Sequence, residues 1–233
     1  MKTEHPMRIE PGPLKHVSLL AAGLSWLDQL RDCYGLLLRE HTRQLDYIFF
    51  TLLFPCLFFL IFGVPEGTDF WRANTLLASF SAFGVIGVVL FQLAVISAQE
   101  RHSHWQGYLR SLPLAGSALL TARVLMVISF SLLSILSIYL TAAFGTQLDI
   151  DPWTLLKFVA CLLLGALPFA LIGYLVGSFA SPKGVVPLAN LVYLSLSYVG
   201  GLWFPPQLLH PTIQAISVHL PSRHYVEILW DIT

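Results

Sequence analysis

Charge is scarce in this chain. Thirteen Lys and Arg and thirteen Asp and Glu make up 11% of its 233 residues, against 56% hydrophobic residues. Soluble domains carry roughly 25% charged residues, so most of this chain does not face water. Cysteine is scarce too: Cys33, Cys56 and Cys161 are odd in number and far apart, which argues against a disulfide framework or a zinc site. Cys56 and Cys161 sit in apolar runs and read as small packing residues. The sequence holds no G-x-x-x-x-G-K-[ST] phosphate loop, no H-E-x-x-H and no G-x-S-x-G. His102 and His104, two apart, point to different faces of a helix and make a poor metal pair. No basic stripe with interleaved aromatics appears, so no nucleic-acid partner is expected. The polar first 16 residues, with Pro6, Pro11 and Pro13, do not form a cleavable signal peptide.

What fills the chain instead is long apolar runs, at 47–64, 73–98, 118–145, 155–180 and 185–204. A hydrocarbon core of about 30 Å needs ~20 helical residues, and each run reaches or approaches that length. Lipid offers the backbone no hydrogen bonds, so such runs must be helices or parts of a closed barrel. They are continuous rather than alternating, which excludes the barrel. The expected fold is an all-α, polytopic helical membrane protein. A cytoplasmic segment, 1–44, precedes a transmembrane domain, 45–233. No run contains an internal Asp or Glu, which argues against a proton or sodium relay. If the protein moves something, the energy comes from another subunit.

Positive charge sorts sharply. Lys2, Arg8, Lys15, Arg31, Arg39 and Arg43 precede the first run, Arg101, Arg110 and Arg123 flank the second loop, and Lys183 is in the fourth. The other side keeps only Arg72, Lys157 and Arg223. The positive-inside rule puts the amino terminus in the cytoplasm of a multi-pass protein of the cell membrane.

Leu20, Leu24, Leu27, Leu30, Tyr34, Leu37 and Leu38 recur at helical steps within Val17–Gln44, with Asp28, Arg31, Asp32, Arg39 and Arg43 between them. This is an amphipathic helix, either lying in the cytoplasmic interface or packed on a partner. Pro55 is expected to kink the first run, and the fourth contains Pro168. Gly84, Gly87 and the pair Gly173-x-x-x-Gly177 allow close helix approach. In the third run Ser134, Ser137 and Thr141 read as interhelical hydrogen-bonding groups. The fifth run lines up Asn190, Tyr193, Ser197 and Gly201 on one face. Helix–helix bonding and a substrate-facing role both fit that face. Pro205-Pro206 ends the run, and a broken apolar stretch follows, closed by Leu220-Pro221.

The loop 99–114 opens with a charged pair, Glu100-Arg101, continues through Trp105 and Leu109-Arg110-Ser111-Leu112, and stops at Pro113-Leu114. An ordinary interfacial loop and a short helix that docks in a cleft of a soluble partner both fit this composition. With Arg123 beyond it, the loop resembles the coupling segment of ABC-2 type exporter permeases. Gly200-Gly201-Leu202-Trp203-Phe204-Pro205, followed by Leu220-Pro221 and Tyr225-Val226-Glu227, resembles that family's exit from span five, its external re-entrant helices and its Leu-Pro element.

The resemblance implies a transmembrane subunit that pairs with a second permease chain, identical or related. ATP and magnesium would sit on a separate ATPase, leaving no cofactor and no catalytic residue on this chain. Glu100, Arg101, Trp105, Leu109, Arg110 and Pro113 would couple to the ATPase. Gln92, Asn190, Tyr193 and Ser197 would face the substrate path, and Gly201, Pro205 and Pro221 would shape the re-entrant segment, 205–233. The family's sixth helix is expected after the Leu-Pro element and appears missing at Thr233. The uncharged path suits a hydrophobic or amphiphilic cargo, a drug or antibiotic first and a lipid-linked glycan second. From another class, a lipid-modifying membrane enzyme would need His102, His104, His210, His219 or His224 in an acid–base geometry. A non-transporting membrane sensor or scaffold is a third reading.

Overall fold

The computed structural model describes residues 25–43, 53–67, 69–102, 115–148, 150–204 and 209–233, and all regular elements among them are helices. In chain order these are α1 (Trp26–Arg43), α2 (Phe54–Glu66), α3 (Phe70–His102), α4 (Gly116–Gly145), α5 (Pro152–Gly165), α6 (Leu167–Phe179), α7 (Val185–Val199), α8 (Pro211–Ser217) and α9 (Pro221–Ile232). Three stretches are long and apolar enough to cross a membrane: Trp71–Gln99, Gly116–Gly145 and Pro152–Phe179. They match the second, third and fourth apolar runs, and α2 and α7 are shorter apolar helices. The first run is described only from residue 53 onward, and residues 17–24 of the amphipathic segment also lie outside the described residues.

Helix α3 is the axis of the bundle. Its apolar window is 78% buried, against 33% for α4 and 22% for α5–α6. A helix that is apolar all round belongs in the interior. Here α2, α4, α6, α7 and α9 all pack on it. The outward faces of the others carry exposed residues such as Leu132, Leu136, Leu140, Leu164, Leu171 and Leu191. These are the surfaces that lipid or another chain would meet.

The breaks follow from proline chemistry. Pro65 has no N–H and crowds the carbonyl four residues back. The preceding turn, Phe59–Gly63, widens into a π turn in which the Val64 N–H reaches the Phe59 carbonyl. Pro168 likewise separates α5 from α6: at the break the Ala166 N–H turns to the Leu164 carbonyl. At α7 the helix closes on Gly201, which takes φ 79°. The Leu202 N–H reaches back to the Ser197 carbonyl at 3.0 Å. This glycine closure ends α7 at about 22 Å, shorter than a hydrocarbon core.

Asp151 caps α5. Its carboxylate accepts from the Trp153 and Thr154 amides at 3.0 and 2.9 Å, with Pro152 in the first turn. Hydrogen bonds from Thr154, side chain first and then backbone, and from the Trp153 amide hold the Asp151 carboxyl below its usual range. A carboxyl whose pKa is depressed by folding stabilises the fold above its unfolded value. That contribution is lost as pH falls through the folded value. Thermal unfolding in detergent between pH 6 and pH 3 should therefore show a drop that Asp151→Asn reduces. An identical pH profile for both proteins would contradict the cap.

The amphipathic helix α1 is docked lengthwise on the first half of α4. Trp26 Nε1 donates to Ser117 Oγ at 3.1 Å, and the Ala115 N–H at the start of α4 donates to Gln29 Oε1 at 2.9 Å. Tyr34 and Ser129 share a hydroxyl–hydroxyl bond of 2.9 Å. Tyr34 and Leu37 pack on Val88, Met126 and Phe130. Tyr34 and Leu37 of the sequence's apolar stripe thus meet α3 and α4, while Leu27 and Leu38 stay exposed. Burial first, and then Asp32, push the Cys33 thiol up, with Arg123 opposing. The group stays protonated and a poor nucleophile.

Candidate functional site

Two ends of the bundle must be distinguished. At the loop end, α3 runs into residues 103–114 and α6 turns through Ser181–Gly184 into α7. At the far end lie the α2–α3 and α4–α5 connections, the close of α7, and α8 and α9. Trp105, Leu109, Arg110 and Pro113 of the loop, and Pro205 at the far end, lie outside the described residues.

Glu100 stands in the last turn of α3, and Arg101 follows it. The Arg101 guanidinium donates to the Ser178 carbonyl and, at 3.1 Å, to the Ala180 carbonyl. Those carbonyls lie at the C-terminus of α6, where orphan acceptors and the helix dipole favour a cation. One turn back, Ser97 Oγ bonds the Tyr174 carbonyl and the Ser178 hydroxyl, each at 3.2 Å. The backbones touch along this seam. A Cβ on Gly173 would meet the Leu90 carbonyl at 2.5 Å, and one on Gly177 would run into the Ala94 carbonyl. The glycine pair marked in the sequence is therefore the α3–α6 contact itself.

Of the expected path residues, Gln92 lies on α3 and Asn190, Tyr193 and Ser197 lie on α7, and Tyr193 joins the two helices at their seam. Tyr193 is 2% exposed, stacks on Phe83 with ring centroids 4.7 Å apart, and donates its hydroxyl to the Phe83 carbonyl at 3.0 Å. Gly87 leaves the space the phenol occupies, since a Cβ there would stand 3.0 Å from the hydroxyl. Ser197 is fully buried and bonds the Tyr193 carbonyl at 2.7 Å. Gln92 is buried on α3, and Asn190 is half-buried near the loop end of α7. Three of the four side chains are thus closed inside a single chain.

Composition did not single out the aromatic ring around this seam. Phe58, Phe83 and Tyr198 lie 5.3, 5.6 and 6.4 Å from Trp203, and Phe91 lies 5.6 Å edge-on from Tyr193. The signal was a plain one: aromatics on runs one, two and five. Their pairing is set only by the tertiary fold. Of the interhelical hydroxyls expected on α4, Ser137 does bond across, to Cys56 Sγ at 3.2 Å. Ser137 and Thr141 also bond carbonyls of their own helix.

At the far end, Pro221 opens α9, which turns back into the bundle. Ser222 Oγ donates to the Leu196 carbonyl of α7 at 2.8 Å, and Trp230 Nε1 donates to Ser79 Oγ of α3 at 2.8 Å. The Tyr225 hydroxyl donates to the Leu162 carbonyl of α5 at 2.8 Å, beside the Pro168 break, with Gly165 making room for its ring. Helix α9 is thus held on α3, α5 and α7. Along it Arg223 pairs with Glu227 at 2.6 Å and lies over the Trp230 ring.

Comparison with known proteins gives the family. Residues 33–232 match the model of the ABC-2 type transporter family. The chain is 28% identical over 196 residues to a Bacillus subtilis (strain 168) protein named "Putative transport permease YvfS", covering 82% of this chain and 79% of that protein. No solved structure matches the chain. The match runs from within α1 to the end of α9 and takes in the axial helix, the α3–α4 loop and the helices α8 and α9; the chain belongs to the ABC-2 type transporter family.

Proposed function

We propose that this chain is the membrane permease subunit of an ATP-driven exporter, working with a separate ATPase and a second permease chain. The observation that carries the reading is the family match across residues 33–232, which spans the loop between α3 and α4. No phosphate loop stands in the sequence, so the nucleotide belongs to the partner. The loop end lies in the cytoplasm with the basic residues, and the re-entrant helices face outside. Trp105 and Leu109 fill a cleft on the ATPase, Pro113 stops the docking segment, and Glu100 and Arg110 frame it.

The substrate route runs along the α3–α7 face, past Gln92, Asn190, Tyr193 and Ser197. All four are uncharged, which suits a hydrophobic or amphiphilic cargo, with drugs and antibiotics ahead of lipid-linked glycans. Tyr193 and Ser197 are closed here, so the route opens when α7 parts from α3. ATP must then favour one of these two states over the other.

Trp105→Ala with Leu109→Ala is the test. Two buried anchors at an interface are each worth about 2 kcal/mol. The pair should therefore lower capture of the ATPase by more than about 100-fold, with the permease still folded. Undiminished capture would contradict the docking role.

A further inference from the structure

We infer that Arg101 is a positioning residue that ties the loop end of α3 to the C-terminus of α6, so that movement of the 103–114 loop is delivered to α6 and α7. The inference rests on the exporter reading and deepens it. Its basis is the joint described above. One guanidinium spans two carbonyls, of Ser178 and Ala180, at the end of α6. A planar fork holds two acceptors at once and fixes their direction, which a point charge does not. Ser97 adds a second tie one turn away, to Tyr174 and Ser178. Gly173 and Gly177 let the two backbones touch, leaving no slack between the helices.

Beyond Ala180 the chain reaches α7 through a tight turn. The Gly184 and Val185 amides both return to the Ser181 carbonyl, at 3.0 and 2.9 Å. A pull on the end of α6 is therefore a pull on the start of α7. Helix α7 carries Tyr193, the residue that closes the seam with α3. Arg101 thus faces inward to the permease's own helices. Its exposed position at the root of the loop gives it the look of a partner contact, which is how the sequence alone presents it.

The test uses the permease–ATPase complex purified from its own host, with Cys33, Cys56 and Cys161 replaced by Ala. A fluorophore on Ser195→Cys, an exposed site on α7, reports its motion on trapping with ATP and orthovanadate. The expected result is a clear response without further changes, and about a fivefold to tenfold smaller response in Arg101→Gln. Such a loss corresponds to removing charge-assisted bonds. The ATPase should stay bound and hydrolyse ATP. Arg101→Lys should restore the response in part. A disulfide between Ser97→Cys and Ser178→Cys, formed before labelling, should restore it in Arg101→Gln, because the two hydroxyls stand 3.2 Å apart at the same joint.

Loss of the ATPase from Arg101→Gln would make Arg101 a partner contact and overturn the inference. So would an unchanged response, or a cross-link that restores nothing. A label that stays still before any change at Arg101, with the ATPase bound and hydrolysing ATP, would overturn the exporter reading itself and the inference with it.

Discussion

Replacing Gly177 by Ala should abolish the assembled protein, although only a methyl group is added. The new Cβ would collide with the Ala94 carbonyl of α3 and crowd Ser97 Cβ at 2.8 Å. A flexible side chain would yield, but a helix backbone can only move as a whole. Shifting α6 would also break the Gly173–Leu90 approach and the Ser97 bonds. Ordinary overpacking costs about 1–3 kcal/mol. A backbone-on-backbone clash along one seam should cost more than about 3 kcal/mol, a large share of a marginal stability. Gly35 is the control, because a Cβ there meets nothing within 4 Å. Gly35→Ala should stabilise α1 by up to about 1 kcal/mol. Size-exclusion profiles and melting temperatures in detergent read both variants. A monodisperse Gly177→Ala protein with an unchanged Tm would contradict the packing.

Tyr193→Ala should lower stability by about 3–5 kcal/mol, the usual range for emptying a large aromatic site in a packed core. The change removes the stack on Phe83, the edge contact with Phe91 and the bond to the Phe83 carbonyl. Gly87 offers no side chain to fill the gap. Tyr193→Phe keeps the ring and isolates the hydroxyl, at a cost of about 1 kcal/mol. The pair separates packing from transport. A changed set of exported compounds in the mild Phe variant would place the hydroxyl on the cargo route. An unchanged set, beside a large stability loss in the Ala variant, would make Tyr193 a core residue alone.

Much of this fold was legible because its causes are local. Three runs of low charge became the three span-length helices. Pro168 broke the fourth run where it stands, and Pro221 opened the helix that turns back. Gly173 and Gly177 marked a close approach four residues apart on one helix face, and only the partner, α3, had to come from the structure. The site was less legible. Asn190, Tyr193 and Ser197 make a polar face whether they look into a cavity or onto a neighbour, since periodicity reports a side and not what lies beyond it. Arg101 in a basic loop gave no hint that it reaches 77 residues along the chain to Ser178. The amphipathic stripe of α1 announced a packing face, met only by its part-buried members, yet Gln29 and Tyr34, which fasten it to α4, are ordinary polar residues until Ala115 and Ser129 are brought beside them.

The account stands on movement of this chain being driven by nucleotide held on another molecule. The direct measurement is to isolate the chain from its own membranes in mild detergent, with everything that adheres to it, and to follow α7 as ATP is added. A nucleotide hydrolase bound in stoichiometric amount, and a displacement of α7 that needs both it and ATP, is the predicted result. A preparation with no hydrolase that still cycles, or carries cargo across a vesicle membrane unaided, would contradict it.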